Sequence, residues 1–216
     1  MTGNSYYYRK LHSLLGVVPV GFFLVEHMLT NYEAFRGGPV QFAEQVKWLN
    51  DLPLIFLLEL FGIWLPLLYH GVYGLYVAFQ SNNNVNRYSY GRNWMFTLQR
   101  VTGVITLVYI AWHVFQTRVQ VALGLEHIEL GKVMHGISTN GVMFALYTIG
   151  ILAACFHFSN GMWSFLVSWG ITIGPRAQKV SSYIWAGVFV VMAAMFIASL
   201  AAFMDPQFNS IPTIKD

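Results

Sequence analysis

The sequence has 216 residues, of which 56% are apolar and only 10% charged, with a mean hydropathy of +0.52. A typical soluble domain carries roughly 25% charged residues, so a soluble enzyme is excluded, and so is disorder. The formal charge of +3 is no sign of a nucleic-acid partner, and the single cysteine, Cys155, excludes an internal disulfide, a Cys-ligated zinc site and an all-Cys iron–sulfur cluster within this chain.

A bilayer core about 30 Å thick needs about 20 mostly apolar helical residues. Five stretches meet that requirement: 11–31, 53–80, 94–119, 142–169 and 182–204. They predict an all-α integral membrane protein with five transmembrane helices, residues 1–216 forming a single membrane domain. The first stretch follows Arg9 and Lys10, as a signal peptide would. Its apolar run is longer than a usual h-region and no small-x-small site closes it, so it reads as a retained span.

The connections sort by charge. The N-terminal segment, 81–93 and 171–181 carry Arg9, Lys10, Arg87, Arg92, Arg176 and Lys179, and no acid. The other connections and the tail hold Glu33, Glu44, Asp51, Glu126, Glu129, Asp205 and Asp216 with fewer bases. The positive-inside rule then puts the N-terminus in the cytoplasm and, after five crossings, the C-terminus outside.

Residues 87 apart resemble one another. Leu11-His12-Ser13-Leu14-Leu15-Gly16 matches Leu98-Gln99-Arg100-Val101-Thr102-Gly103. His70-Gly71-Val72-Tyr73-Gly74 matches His157-Phe158-Ser159-Asn160-Gly161, and His27 matches His113 within one position. The repeat unit is a helix pair, and its even number of crossings gives both copies the same orientation. This predicts a pseudo-twofold axis along the membrane normal, with the fifth helix outside the symmetry.

Apart from His12 at the inner interface, four of the seven histidines lie inside spans. His70 and His157 are ~15 and ~18 Å from the cytoplasmic ends of the second and fourth spans, and His27 and His113 are ~6–9 Å from the outer ends of the first and third. The four therefore form an inner pair, His70 with His157, and an outer pair, His27 with His113. Ionisable side chains in hydrocarbon are expensive and mark function by default. The depth match reads as two b-type haems, each held by two neutral imidazoles in trans, with irons roughly 10 Å apart in height. The competing reading is a set of structural histidines or a proton relay, as in a membrane scaffold or transporter. Pairing His27 with His70 and His113 with His157 mismatches the depths. Gly74 and Gly161, one turn beyond the inner ligands, leave room for a flat macrocycle, and Gly16 faces the same stripe. His12 reads as an interfacial side chain, His127 and His135 as solvated outer-loop residues, and Cys155 as a small apolar packing residue.

Bis-histidine iron has no open position, so it carries electrons only. The chain has no flavin or nicotinamide motif. Electrons must arrive from a partner and leave to something soluble in membrane lipid, for which a quinone is the obvious acceptor. Glu59, ~9 Å from the outer end of the second span, is the candidate for quinone protonation, and Glu26 beside His27 a weaker one. An electron crossing to a positive outer side gains ~2.3 kcal/mol per 100 mV.

The sequence closely resembles, over nearly its whole length, the dihaem cytochrome b membrane-anchor subunits of succinate dehydrogenase of the Gram-positive, menaquinone-using type. The resemblance rests on the segment from Arg9 to Gly16, Tyr69-His70-Gly71-Val72-Tyr73-Gly74, Arg92-Asn93-Trp94-Met95-Phe96, the segment from Gln99 to Thr106, Trp112-His113 and Phe156-His157-Phe158-Ser159-Asn160-Gly161. It implies five helices, two haems b, menaquinone as substrate, and a complex with an FAD flavoprotein subunit and an iron–sulfur subunit on the cytoplasmic face of the bacterial cell membrane. It also implies His70 and His157 as axial ligands of an inner, higher-potential haem, and His27 and His113 as those of an outer, lower-potential one. The wider family places a His/Gln-Arg-x-Ser/Thr-Gly motif near a haem propionate; Arg100 and Thr102 occupy it here, making Arg100 a propionate candidate. Menaquinone reduction near the outer haem in Bacillus-like members points to the Glu59 region. The runner-up reading is the equivalent subunit of a quinol:fumarate reductase running in reverse. The tail beyond Met204 carries no assigned role.

Overall fold

The computed structural model describes residues 4–119 and 130–210. Glu126, His127, Glu129 and Asp216 lie outside the described residues. The chain forms helices α1 (Asn4–Val17), α2 (Pro19–Asn50), α3 (Ile55–Glu59), α4 (Leu65–Phe79), α5 (Gly91–Val114), α6 (Leu130–Thr139), α7 (Gly141–Ser168) and α8 (Pro175–Ala202), with no strand among the described residues. A π-helical turn, Leu60–Trp64, joins α3 to α4, and another, Phe115–Val119, extends α5. Among the described residues, five helical stretches are long and apolar enough to cross a bilayer: Ser5–Asn50, Ile55–Phe79, Gly91–Val119, Gly141–Ser168 and Pro175–Ala202.

Several helices outrun the apolar stretches that identify them, because hydropathy marks where lipid is and backbone hydrogen bonding marks where helix is. Val18 keeps helical angles between α1 and α2: its N–H donates to Leu14 O (2.9 Å), and the Phe22 N–H donates to Val18 O (3.2 Å). The two form one rod. The rod continues past Asn31 until Gly38 breaks its geometry at φ +68°, ψ −158°, a conformation open to glycine, and Pro39 starts the next segment, where its missing N–H is no loss. Gly174 (φ +83°) and Pro175 make the same kind of start for α8, bringing Arg176 and Lys179 into the helix. Asn140 caps α7, its side-chain oxygen accepting from the Val142 and Met143 N–H groups at 3.1 Å each.

The chief packing partners are α5 with α7, α7 with α8, α8 with α2, and α1 with α4. Large apolar side chains such as Phe22, Phe79 and Val108 face outward, as lipid-contacting residues do. The best-packed interior lies toward the end of the bundle remote from the N-terminus, where Phe42, Tyr147, Phe203 and Phe208 are at most 5% exposed. Cys155, midway along α7, is fully buried among apolar neighbours.

At that end the structure corrects one sequence reading and adds to another. His135 is not a solvated loop residue. It lies half-buried on α6, with Nδ1 2.8 Å from Phe203 O, because Met134 and Ile137 anchor this short helix in the core. The tail folds back through a 3₁₀ turn, Pro206–Asn209, capped by Asp205, whose carboxylate accepts from the Gln207 N–H at 2.9 Å. Phe208 then packs on Phe203 and Phe42 at ring separations of 4.8 and 6.2 Å.

Candidate functional site

The inner pair comes from α4 and α7. The His70 and His157 rings lie 6.1 Å apart, centroid to centroid, at 80° to one another. Each is aimed by a main-chain carbonyl on another helix. His70 Nδ1 is 2.9 Å from His12 O on α1, and His157 Nδ1 is 2.9 Å from Gln99 O on α5. His12 and Gln99 are 87 residues apart, as are the two histidines, so the repeat seen in the sequence reappears as a repeated hydrogen bond. An Nδ1–H spent on a carbonyl fixes the tautomer and leaves Nε2 with its lone pair free to bind a metal.

Glycines set how closely the helices approach at this level. A Cβ on Gly16 would lie 2.5 Å from His70 Nδ1, and one on Gly103 2.8 Å from His157 Cε1. These positions are also 87 apart. The faces of Gly74 and Gly161 are met by His12 Nε2 (3.1 Å) and Gln99 Nε2 (3.2 Å), so the space expected there for a macrocycle is taken by those side chains. The His12 ring stacks on His70, with centroids 4.2 Å apart and planes within 5°. Asn160 Nδ2 donates to Gln99 Oε1 at 2.7 Å, which ties α7 to α5 beside His157.

The outer pair comes from α2 and α5, with the His27 and His113 rings 5.9 Å apart at 70°. An imidazole nitrogen about 2.0–2.1 Å from a metal ion puts its ring centroid about 3 Å from that metal, so two rings in trans need about 6 Å. Both pairs have that separation. The residues fit a bis-imidazole iron on a second count: His113 Nδ1 is buried without a hydrogen-bond partner. Leaving a buried polar atom unsatisfied costs about 1–3 kcal/mol. Asn31 Nδ2 is a distant 3.4 Å from both ring nitrogens of His27, and its shorter bond, 2.8 Å, goes to His27 O. Thr117 makes the matching bond to His113 O at 2.8 Å, so this layer repeats with an offset of 86. Tyr109 and Tyr147 flank His113, and Phe23 and Phe196 flank His27. The Tyr147 hydroxyl donates to Gln116 Oε1 at 2.8 Å.

Glu59 is the last residue of α3, at the start of the Leu60–Trp64 π turn, and its Oε1 accepts from Arg118 Nη2 at 2.6 Å. Arg118 sits in the second π turn, about 7 Å along the helix axis from His113. π turns break the regular bonding of a helix and recur at functional sites. Glu26 accepts from the Thr30 hydroxyl at 2.6 Å. Arg100 stacks over Phe96, its guanidinium carbon 3.5 Å from the ring centroid, and Arg92 stacks over Trp163 at 3.4 Å.

Sequence reasoning missed the anchoring carbonyls of His12 and Gln99, the partnership of Arg118 with Glu59, and the aromatic walls of the outer layer. The first was within reach, since both residues lie in the aligned hexapeptides. The Arg118 pairing left no local sign, because its partner is 59 residues away.

Residues 82–198 match the family model described as the succinate dehydrogenase/fumarate reductase transmembrane subunit. The chain is 46% identical over 206 residues to the succinate dehydrogenase cytochrome b558 subunit of Bacillus subtilis (strain 168), covering 94% of this chain and all of that relative. No solved structure matches the chain.

Proposed function

Because the chain belongs to the succinate dehydrogenase/fumarate reductase transmembrane-subunit family, we propose that it carries electrons across the membrane on two haems b, from an iron–sulfur subunit on the cytoplasmic face to menaquinone near the outer face. It is the cytochrome b membrane-anchor subunit of succinate dehydrogenase, a multi-pass protein of the bacterial cytoplasmic membrane that works in a complex with other subunits. Succinate chemistry is not performed on this chain. In our reading it takes place on an FAD flavoprotein subunit, which passes electrons to the iron–sulfur subunit.

The observation that carries the two-haem reading is the equal spacing of the imidazole pairs, 6.1 and 5.9 Å, at two levels of one bundle. Haem b with both axial positions filled by imidazole takes up and releases single electrons and binds neither oxygen nor substrate. His70 and His157 would hold the inner group through Nε2, their rings aimed by the His12 and Gln99 carbonyls. His27 and His113 would hold the outer one between the aromatic side chains of Phe23, Phe196, Tyr109 and Tyr147. Lys10 against Trp169, Arg92 over Trp163 and Arg100 over Phe96 all lie toward the inner end. Their positive charge favours the electron-bearing state there and supports a higher potential for the inner haem. Arg100 is the cation we assign to a propionate.

Quinone reduction consumes protons as well as electrons. Glu59, with Oε1 held by Arg118, has Oε2 left to take up a proton from the outer side and pass it to the reduced quinone. Outward electron flow gains ~2.3 kcal/mol per 100 mV of membrane potential for a full crossing, which helps reduce a low-potential quinone.

Redox titration of the purified complex tests the ligand assignment. His70→Ala and His157→Ala should each remove the higher-potential haem alone, and His27→Ala and His113→Ala the lower-potential one alone. Loss of the same haem from His27→Ala and His70→Ala would refute the pairing. A folded wild-type complex without b-type bands in the reduced-minus-oxidised spectrum would end the haem reading altogether.

A further inference from the structure

The two inner ligands are aimed alike but covered differently. His12 and Gln99 each lend a carbonyl to a ligand Nδ1, and each turns its side chain over the glycine four residues beyond that ligand, Gly74 or Gly161. On the His70 side the cover is a ring, stacked flat at 4.2 Å. On the His157 side it is an amide, with Gln99 Nε2 3.2 Å from His157 Nδ1. On the two-haem reading, we propose that Gln99 is a positioning residue that raises the potential of the inner haem through His157.

Hydrogen bonding fixes the sign of the effect. Gln99 O can only accept, so the hydrogen of its 2.9 Å bond sits on His157 Nδ1. Nδ1 therefore has no lone pair for Gln99 Nε2, and the amide faces it as a second donor. The surrounding bonds also fix which end of the amide points there. Nε2 donates to His157 O at 2.9 Å, and Oε1 accepts from Asn160 Nδ2 at 2.7 Å, a group that also donates to Met95 O at 3.3 Å. Turning the amide over would set its oxygen against His157 O and its nitrogen against Asn160 Nδ2. The positive end of a neutral dipole is thus held against one axial ligand.

An imidazole bound to oxidised iron has a more positive N–H than one bound to reduced iron. A fixed donor beside that N–H opposes the oxidised state and favours the electron-bearing one, and it acts strongly where the local dielectric is low. No other ligand has such a neighbour so firmly placed. His70 Nδ1 meets only the His12 carbonyl among the described residues. In the outer layer, Asn31 Nδ2 is farther off, 3.4 Å from both nitrogens of His27, and no donor fixes its oxygen among the described residues. The amide therefore separates the two potentials in the same direction as the inner cations, but by contact rather than by long-range charge.

Redox titration of the purified complex carrying Gln99→Leu or Asn160→Leu tests this. Gln99→Leu removes the donor and keeps the main-chain carbonyl that aims His157. At a fixed potential it should lower the reduced-to-oxidised ratio of the inner haem about five-fold, the worth of one neutral hydrogen-bonding contact, with the outer haem unmoved. Asn160→Leu, which unlocks the amide, should give a smaller shift in the same direction. Both shifts should persist at high ionic strength, which screens exposed cations but not a contact inside the bundle. If Gln99→Leu cannot hold the inner haem, the Asn160→Leu shift alone decides. An unmoved or raised inner midpoint, an equal shift of both haems, a shift abolished by salt, or loss of the inner haem from both variants would each overturn this role for Gln99 and leave the two-haem reading standing. That reading fails separately, if the wild-type complex shows no b-type bands.

Discussion

Replacing Gly16 by alanine adds one methyl group at the point where α1 meets the inner imidazole. The new Cβ would stand 2.5 Å from His70 Nδ1. A comfortable non-bonded contact is about 3.5 Å, so the ring or the helix must retreat by about 1 Å. Metal–ligand distances tolerate only about 0.2 Å of change. The retreat also pulls His70 away from His12 O, which lies on the same helix four residues before Gly16. Overpacking of this size costs about 1–3 kcal/mol, small beside what a long helix bundle can absorb. The chain should therefore fold and insert, and lose the inner haem alone. Pyridine-haemochrome assay should find one haem per chain instead of two, and redox titration should find the lower-potential species remaining. Gly103→Ala, whose Cβ would meet His157 Cε1 at 2.8 Å, should give a milder form of the same defect. Gly187→Ala, with nothing within 4 Å, should change nothing. Two haems with unaltered midpoints in Gly16→Ala would refute the link between helix approach and ligand position.

Two other outcomes can be checked directly. Glu59→Gln should slow succinate:menaquinone turnover several-fold while haem content stays at the wild-type value. Arg118→Gln should do the same by freeing the carboxylate, and unchanged turnover in Glu59→Gln would acquit this residue. Phe208→Ala should lower stability by about 3 kcal/mol, because the tail loses its anchor between Phe203 and Phe42. Thermal unfolding and proteolysis of the tail would both report it.

The five crossings and the two histidine levels were legible because lipid imposes a length on apolar runs and a penalty on polar side chains within them. The repeat was legible too, and the structure renders it as paired bonds from His70 and His157 to carbonyls 87 residues apart. Helix ends were less readable. The first apolar stretch closes at Asn31, yet helix runs on to Gly38, where the chain kinks, and a new helical segment starts at Pro39 and reaches Asn50. Arg176 and Lys179 mark the edge of the hydrocarbon but not the start of α8. The helix α6 left a faint trace, Met134 and Ile137 three apart in the connection between the third and fourth spans. The Glu59–Arg118 pair left none, because no periodicity connects residues on two different helices.

The two histidine layers differ in what holds their rings. Each inner imidazole sets Nδ1 against a main-chain carbonyl of another helix, His70 on α1 and His157 on α5. In the outer layer Asn31 Nδ2 stands 3.4 Å from the His27 ring nitrogens and His113 Nδ1 is without a partner, so aromatic side chains set the ring positions. A slide of α1 against α4, or of α5 against α7, would therefore turn an inner ring directly, whereas an outer ring answers to the side chains around it.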